Sequence, residues 1–436
     1  MNNQNILSNL RRLSEIHEDK DIRSLTTAQF PGSHCPLMGA MMAIGGIEDA
    51  IMLVLGTDEC AYYTKQATIN GFSFGGIDNR CFSVVIDQHD VTFGCREKLH
   101  SAFAELMQEI APAAVFLVTT CVLEITGDDV DSMADELSSE YQIPVLPVHT
   151  EHFKSANHLP GVRDTITACL PLIENPLNNQ KAIKRVNVIG QRLGKIQDTE
   201  LYRILSQRGI EIGLMLPGGA SLQQIRSAAD AQVNIVVNDL GLPFAEKMER
   251  KFGVPYVMFD KYVDPDHIMQ AYQTLFHYLH LDIDSELMDL YHRACTMVSD
   301  TTGKVNGMQY IYGNTALNCM EYNLFMVGLG MVPQLIQLNE IKENEVVFCK
   351  QILTNYDPYV TKTANIAALQ TVYDLLKPNL YLGHEFAARL RAKGIVLVHG
   401  DGISSMLGFE VTMAVVQELI RASNEARELR QKGNNI

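Results

Sequence analysis

The sequence has no excess of positive charge, and this absence limits the partners of the protein. Its 436 residues include 35 Lys and Arg against 51 Asp and Glu, which gives a formal net charge of −16. Proteins that bind nucleic acid or an anionic membrane do so largely through clustered Lys and Arg. We therefore expect no nucleic acid partner and no attachment to an anionic membrane surface.

Long apolar runs are also missing. The sequence contains no uninterrupted stretch of about 18 apolar residues, the length that crosses a bilayer. Its start, MNNQNILSNLRRLSEIHEDKD, is polar and does not resemble the basic region and apolar core of a signal peptide. We expect a soluble, cytoplasmic protein without a membrane partner. Its nine cysteines then do not predict disulfides, because the cytosol keeps thiols reduced, so metal binding or burial must explain them.

Two nucleotide-binding motifs are absent as well. No G-x-G-x-x-G follows a strand-like run, and no Walker A sequence occurs. These motifs place glycines and a helix N-terminus against phosphate groups. Direct nucleotide binding is therefore not indicated.

Short apolar runs alternate with helical patterns along the whole chain. They have the length of strands and are bounded by Gly, Pro or polar residues, and we predict strands at 51–55, 114–118, 186–189, 235–237, 309–312 and 395–398. The helical pattern that follows Gly94 should place an apolar face on a sheet. This alternation predicts an α/β fold with parallel sheets flanked by helices.

The length predicts more than one domain, because a single hydrophobic core stops growing below this size. The second and third thirds repeat the same strand, turn and helix construction, which favours Rossmann-like domains in tandem. Breaks at residues 174–184 and 300–304 suggest the boundaries. We therefore predict three Rossmann-like domains, at 1–180, 181–300 and 301–436, the first of which binds a cluster.

Three cysteines stand in turn-like segments. Cys35 lies in HCPLMGA, Cys60 in LVLGTDECAYY and Cys121 in LVTTCVLEITGDD, and the latter two follow a predicted strand. Ligands of parallel sheets gather at the carboxyl ends of the strands, so thiols placed there can meet despite wide sequence separation. Taken singly, each is more simply an ordinary buried thiol. The surrounding sequences decide between these two interpretations.

Those surroundings resemble the nitrogenase component 1 superfamily. The segments PGSHCPLMGA, GTDECAYY, HDVTFGCREKLHSAF and TTCVLEITGDDV occur in the order and spacing of that family. It includes both subunits of the molybdenum–iron protein, their cofactor-assembly homologues and the protochlorophyllide reductase subunits. The resemblance continues over GASLQQIRSAADAQVNIVVNDLGLPFAEKMERKFGVPY and LKPNLYLGHEFAARLRAKGIVLVH. It implies that Cys35, Cys60 and Cys121 are the cofactor-binding metal ligands.

The resemblance also implies a cofactor and partners. The cofactor would be an iron–sulfur cluster, either [4Fe–4S] or a P-cluster-like [8Fe–7S]. Three cysteines cannot complete such a cluster, because each iron of a cubane wants a protein ligand. A homologous component 1 subunit would supply the rest in a hetero- or homo-oligomer, and an ATP-dependent iron protein would deliver electrons. We expect Gly39, Gly56 and Gly127 to let backbone approach the cluster.

The expected function is that of a nitrogenase-like oxidoreductase subunit that relays low-potential electrons to a substrate site. The substrate candidates are dinitrogen, a tetrapyrrole or a small organosulfur compound, and no catalytic residue is predicted. The alternative is a scaffold on which an iron–sulfur cofactor is assembled, and a third possibility is a cluster-free protein of similar architecture. Sequence alone does not separate them.

The type of subunit is a finer question. TTCVLE and PVLPVHTEHFKSANHLPG resemble the beta type or its assembly counterpart. The alpha type anchors its cofactor through a Cys in the second domain and a His in the third. The matching stretch here, NIVVND at 234–239, has no cysteine, whereas His399 stands near the position of the His.

Several other residues are weaker candidates for the site. Cys95 could be an additional thiol near the cluster, but is more simply a residue at the start of a helix with a lowered pKa. Asp128 and Asp129 should cap the following helix. The remaining cysteines are interpreted as core, and three histidines as loop residues with a weak metal signal: Cys81, Cys169, Cys295, Cys319, Cys349, His149, His152 and His158.

Overall fold

The computed structural model describes residues 6–26, 34–69, 77–155, 157–176, 184–192, 194–313, 315, 317–362, 366–400 and 402–433. The chain divides into two compact units. The unit that we call the cysteine unit consists of Ser33–Gln197 and Tyr202–Met258. The other, the terminal unit, consists of Met1–Gly32, Asp198–Leu201 and Phe259–Ile436.

Short strands form three sheets. The strands are β1 Arg11–Arg12, β2 Ala50–Gly56, β3 Cys81–Val85, β4 Ala114–Val118, β5 Val145–Val148, β6 Arg185–Gln191, β7 Glu211–Pro217, β8 Val233–Val236, β9 Tyr256–Met258, β10 Gln309–Tyr312, β11 Val332–Gln337, β12 Tyr359–Thr361, β13 Leu380–Leu382 and β14 Val396–Val398. The cysteine unit holds two parallel sheets, ordered β3-β2-β4-β5 and β7-β6-β8-β9. The sheet of the terminal unit, ordered β1-β12-β11-β10-β13-β14, is parallel except for β1.

Helices connect the strands. They are α1 Pro36–Gly45, α2 Asp58–Ile69, α3 Gln88–Phe93, α4 Arg96–Glu109, α5 Cys121–Thr126, α6 Val130–Tyr141, α7 Leu159–Ala168, α8 Glu200–Gln207, α9 Leu222–Arg226, α10 Leu242–Phe252, α11 Pro265–Leu279, α12 Ser285–Val305, α13 Cys319–Gly328, α14 Val346–Ile352, α15 Ile366–Leu376, α16 Ala387–Ala392 and α17 Phe409–Gly433. Among the residues that the structure describes, no helix is long and apolar enough to span a membrane.

The first sheet of the cysteine unit is covered on both faces. Side chains of β2 point alternately to opposite sides, so that Met52 and Val54 join one core whereas Ile51 and Leu53 join another. Helix α4 packs on the second of these cores through its buried apolar side chains, as its pattern predicts. Strands buried on both faces have to be continuously apolar, which is why β2 and β4 were visible in the sequence. The predicted α/β class with parallel sheets flanked by helices is confirmed.

The predicted domain bounds remain a prediction. Residues 177–183 of the predicted linker at 174–184 lie outside the described residues. The other predicted break, at 300–304, lies within a helix. These residues belong to the last part of α12, which includes Gly303 and continues to Val305. Strands β2–β5, β6–β9 and β10–β14 each form one sheet within one predicted domain, but β1 of the first predicted domain joins the sheet of the third. The first two sheets belong to the same compact unit.

Candidate metal centre

Each of the three predicted ligands begins a helix of the cysteine unit. Cys35 is the N-cap of α1, Cys60 lies in the first turn of α2 after β2, and Cys121 is the first residue of α5 after β4. Strands β2 and β4 are adjacent and parallel, so their carboxyl ends meet at one edge of the sheet. The thiols are close enough for their charges to affect one another's pKa. The structure therefore brings together the three cysteines that the sequence singled out.

The electrostatics of these thiols favour a cationic ligand. Burial raises the pKa of Cys35 and of Cys60, and the charge of Cys121 adds to the rise in both. Opposing this, the N-termini of α1 and α2 favour negative charge on the sulfurs. Three thiolates at one site repel one another unless positive charge compensates them. Iron supplies such charge, and thiolate is the ligand that iron–sulfur clusters use.

The three thiols do not form a site for a single ion. In the part of the chain that the structure describes, no three His, Cys, Asp or Glu side chains converge closely enough to hold one metal ion. A cluster places each ligand on its own iron, so its cysteines stand further apart than those of a mononuclear site. The donor set and its setting therefore fit an iron–sulfur cluster that receives further ligands from elsewhere.

The sulfur of Cys121 also accepts a backbone hydrogen bond. The amide nitrogen of His152 lies 3.2 Å from Cys121 Sγ. The segment that carries this amide leaves β5 at His149, whose Nδ1 lies 2.7 Å from Glu124 Oε1 and whose Nε2 lies 3.4 Å from Asp131 Oδ1. Burial alone would lower the pKa of His149, but the hydrogen bond to Glu124 and the two carboxylate charges outweigh it and raise the pKa.

A second polar group lies beside Cys35. His34 Nδ1 is 2.8 Å from the hydroxyl of Tyr63, and the ring of His34 meets that of His158 edge-on. Arg192 donates to Nε2 of His158 at 3.4 Å. Burial, with the charges of Arg192 and His34, lowers the pKa of His158 to about 4, so this ring is neutral near pH 7. Burial and the charge of Cys35 raise the pKa of Tyr63 to about 12.

The three glycines have roles within the chain itself, and their predicted approach to a cluster stays a prediction. A Cβ built on Gly39 would lie 1.9 Å from the carbonyl oxygen of His158, and one on Gly56 would lie 2.4 Å from the Thr120 hydroxyl. Gly127 has a φ of +78° and ends α5. The first two glycines thus permit close packing between protein elements, and the third permits a left-handed turn.

Cys95 does not have the lowered pKa that its position suggested. It is fully buried at the N-cap of α4, in the core on the face of the sheet opposite to the one that Cys35 and Cys60 contact. Burial, followed by the charge of Asp128, raises its pKa to about 11. The predicted cap by Asp129 is present, since its side chain accepts from the amide of Ser132.

The other candidates are distributed through both units. Cys169 and Cys349 are buried as predicted, whereas three further cysteines are only partly buried: Cys81, Cys295 and Cys319. His399 is exposed in the terminal unit, and its amide donates to Glu418 Oε1 at 2.7 Å. The roles of His149, His152 and His158 beside the cysteines were missed, because they depend on contacts between distant segments.

Exposed apolar side chains lie on the segments that follow the strands of the cysteine edge. Phe93 is 76% exposed, Ile125 72% and Tyr62 62%, and these three follow the carboxyl ends of β3, β4 and β2. Phe153, which follows β5, is 56% exposed. Large exposed apolar side chains gathered in one region commonly mark a surface that another protein covers. We call these four residues the apolar rim.

The sequence model of a family described as nitrogenase component 1 type oxidoreductase matches residues 35–423, a range that includes all three cysteines. The chain belongs to this family. Proteins of this family bind iron–sulfur clusters and assemble with homologous subunits.

Two curated relatives and one solved structure show which proteins the chain is similar to. The chain is 31% identical over 226 residues to the nitrogenase iron-molybdenum cofactor biosynthesis protein NifE of Clostridium pasteurianum, covering 51% of this chain and 49% of that protein. It is 26% identical over 223 residues to the nitrogenase molybdenum-iron protein alpha chain of the same organism, covering 50% of this chain and 42% of the relative. The chain thus spans about half the length of the curated relatives it matches. A solved structure titled nitrogenase Cp1 at pH 6.5 has the same fold, with a TM-score of 0.76 and 14% identity over 92% of this chain and 94% of that one.

The subunit type stays a prediction. The sequence resembles the beta type or its assembly counterpart, whereas the relatives named above are an alpha chain and NifE. The beta-type prediction depended on two short segments near Cys121.

Proposed function

We propose that the chain is a subunit of a nitrogenase-like complex and holds an iron–sulfur cluster through Cys35, Cys60 and Cys121. The observation that carries this proposal is the gathering of three thiols at helix N-termini on one edge of a parallel sheet. A bound cluster would supply one-electron chemistry at low potential. The chain would contribute three thiolates, a backbone N–H at Cys121 and an apolar rim for a partner.

In the function that we favour, the cluster relays electrons that an ATP-dependent iron protein delivers. The position of the cysteines supports this relay, because a group at a sheet edge lies near the surface, where electrons can enter. The apolar rim supports docking of protein partners at the same edge. We propose that a homologous subunit completes the ligand set of a [4Fe–4S] or a P-cluster-like [8Fe–7S] cluster. The substrate would bind in that subunit or between the two.

The second candidate is a scaffold for cofactor assembly. It is favoured by the similarity to two NifE proteins, from Clostridium pasteurianum and Methanosarcina barkeri, at 31% and 30% identity over about half of each chain. The stretch at 234–239, Asn-Ile-Val-Val-Asn-Asp, lacks a thiol that could anchor an active-site cofactor. Both candidate functions use the same cysteine site, so the experiment that separates them has to measure electron transfer.

The first part of that experiment tests the site. Protein expressed with its partner and purified without oxygen should contain iron and acid-labile sulfide, and Cys60→Ala or Cys121→Ala should lose them. Cys319→Ala, which changes a thiol of α13 in the terminal unit, is the control and should keep the iron of the wild type. A colourless, iron-free wild type would contradict the proposed site.

The second part separates the two functions. Pull-down of the iron-protein homologue and ATP-dependent electron transfer are measured on the same cysteine variants. For a relay, loss of the cluster should abolish electron transfer while binding of the iron protein persists. Unchanged electron transfer in a variant shown to lack the cluster would rule out the relay and leave the scaffold.

A further inference from the structure

The segment that donates to Cys121 is held at its beginning. Residues 149–152 leave the carboxyl end of β5 and bring the amide of His152 to 3.2 Å from Cys121 Sγ. The amide and hydroxyl of Thr150 bond to the hydroxyl and carbonyl of Thr119, the residue that follows β4. The donor segment is therefore tied to the strand end that leads into α5.

A second tie runs directly to α5. Glu124 lies one turn after Cys121 on this helix, and its Oε1 lies 2.7 Å from Nδ1 of His149. The hydroxyl of Thr119 donates to the same carboxylate oxygen. The Glu124 side chain is only 14% exposed, so solvent screens this pair less than a surface ion pair. His149 thus connects the segment carrying the N–H donor to the helix carrying the sulfur acceptor.

We propose that Glu124 and His149 are a positioning pair that keeps the His152 amide on the sulfur of Cys121 and so sets the reduction potential of the bound cluster. This inference rests on the cysteine site of the proposed function. A hydrogen bond to a ligand sulfur stabilises the more negative, reduced state of an iron–sulfur cluster and therefore raises its potential. Loss of the pair leaves the donor segment held only through Thr150, weakens the bond to Cys121 and lowers the potential.

The test compares Glu124→Ala with Glu124→Gln in the iron-loaded complex. Both variants remove the same negative charge, but glutamine keeps an oxygen that can accept from the His149 ring. A redox titration followed by electron paramagnetic resonance should give Glu124→Ala a more negative midpoint potential than Glu124→Gln, with equal iron content. Glu136→Ala is the control and should keep the wild-type midpoint, because Glu136, on α6, forms an exposed pair with Arg96 of α4.

Equal midpoint potentials in the two Glu124 variants, both with full iron, would overturn the inference. If Glu124→Ala fails to hold iron, His149→Leu compared with His149→Gln takes its place, since only glutamine keeps a donor for Glu124; equal midpoints there would overturn it as well. Failure of the proposed function would look different, because the wild type itself would then contain no iron.

Discussion

At the scale of single residues, Cys35 differs from Cys169 in what opposes the effect of burial. Cys169 is enclosed by apolar groups, and burial alone raises its pKa to about 12. Burial raises the pKa of Cys35 as well, but the backbone N–H groups of Met38 and Leu37 offset part of this rise. A thiol that accepts N–H groups at a helix N-terminus can carry negative charge, which metal binding requires.

A partly buried pair in the terminal unit predicts how stability depends on pH. His267 Nδ1 lies 3.0 Å from Glu321 Oε1, and this hydrogen bond is the main cause that raises the pKa of His267. A raised pKa in the folded protein gives stability that is complete below the unfolded value of 6.5 and is lost as pH rises through the folded pKa. The free energy of unfolding should therefore fall as the pH rises above 6.5. In His267→Gln this fall should be smaller by about 1 kcal/mol.

The measurement is thermal unfolding of the wild type and His267→Gln between pH 6 and 9. The two midpoints should differ most at pH 6 and converge at the alkaline end. His292→Gln, which changes an exposed histidine of α12, is the control and should follow the wild type at every pH. A constant difference across the range would show that the pair contributes no proton-linked stability.

What the sequence could predict differs between residues of the same site. Cys35, Cys60 and Cys121 were found because they stand in recognisable segments. Glu124 and His149 were not paired, because they are 25 residues apart and meet only through the register of β4 and β5. The pKa of Cys95 was predicted in the wrong direction because its burial, which outweighs its position at a helix start, depends on the packed core.

At the scale of elements, two helices fix the position of Cys35. Helix α1 begins at this cysteine, and α7 begins after His158, and the two helices cross at Gly39 and Gly161. A Cβ on Gly161 would lie 1.8 Å from the carbonyl oxygen of Pro36, so only glycine allows this approach. Backbone atoms are therefore in direct contact at the crossing, and a shift of α7 would displace the residue that follows Cys35.

We predict that Gly39→Ala lowers the free energy of unfolding by about 1–3 kcal/mol, because overpacking forces backbone to move. Gly303→Ala is the matched control, since this helical glycine has no atoms within 4 Å of an added Cβ. It should stabilise the protein by about 0.5–1 kcal/mol through helix propensity. Urea unfolding checks both signs. A stable Gly39→Ala protein with full iron would show that α1 and α7 can separate without cost.

The backbone amide of His399 takes part in covering an edge strand. Strand β14 is the edge of the sheet in the terminal unit, and two side chains of α17 cover its free backbone groups. Arg421 Nη2 donates to the carbonyl of Leu397 at 3.0 Å, and Glu418 accepts from the amide of His399 at 2.7 Å. Covered edges resist pairing with other strands. Strand positions could be predicted from apolar runs, but not this cover, because it joins residues from separate elements.

At the scale of the whole molecule, fold similarity extends further than detectable identity. The relatives align over about half of the chain, whereas the family model covers residues 35–423 and the solved structure covers 92% of the chain. The cysteine site lies within the range matched by the family model. Parallel sheets and their cores tolerate many apolar exchanges, so the fold persists where sequences have diverged.

The last prediction concerns assembly. Three cysteines leave a cluster without its full set of ligands, and the apolar rim around them is 56–76% exposed, so both features need a second subunit at the same edge. Light scattering of the iron-loaded protein should therefore show at least a dimer. Ile125→Ser or Phe153→Ser should weaken it by about 1.5 kcal/mol, roughly tenfold in Kd, because each removes apolar area from the contact. Phe386→Ser, at an equally exposed position of the terminal unit, should leave assembly unchanged, whereas a stable iron-loaded monomer would contradict shared ligation.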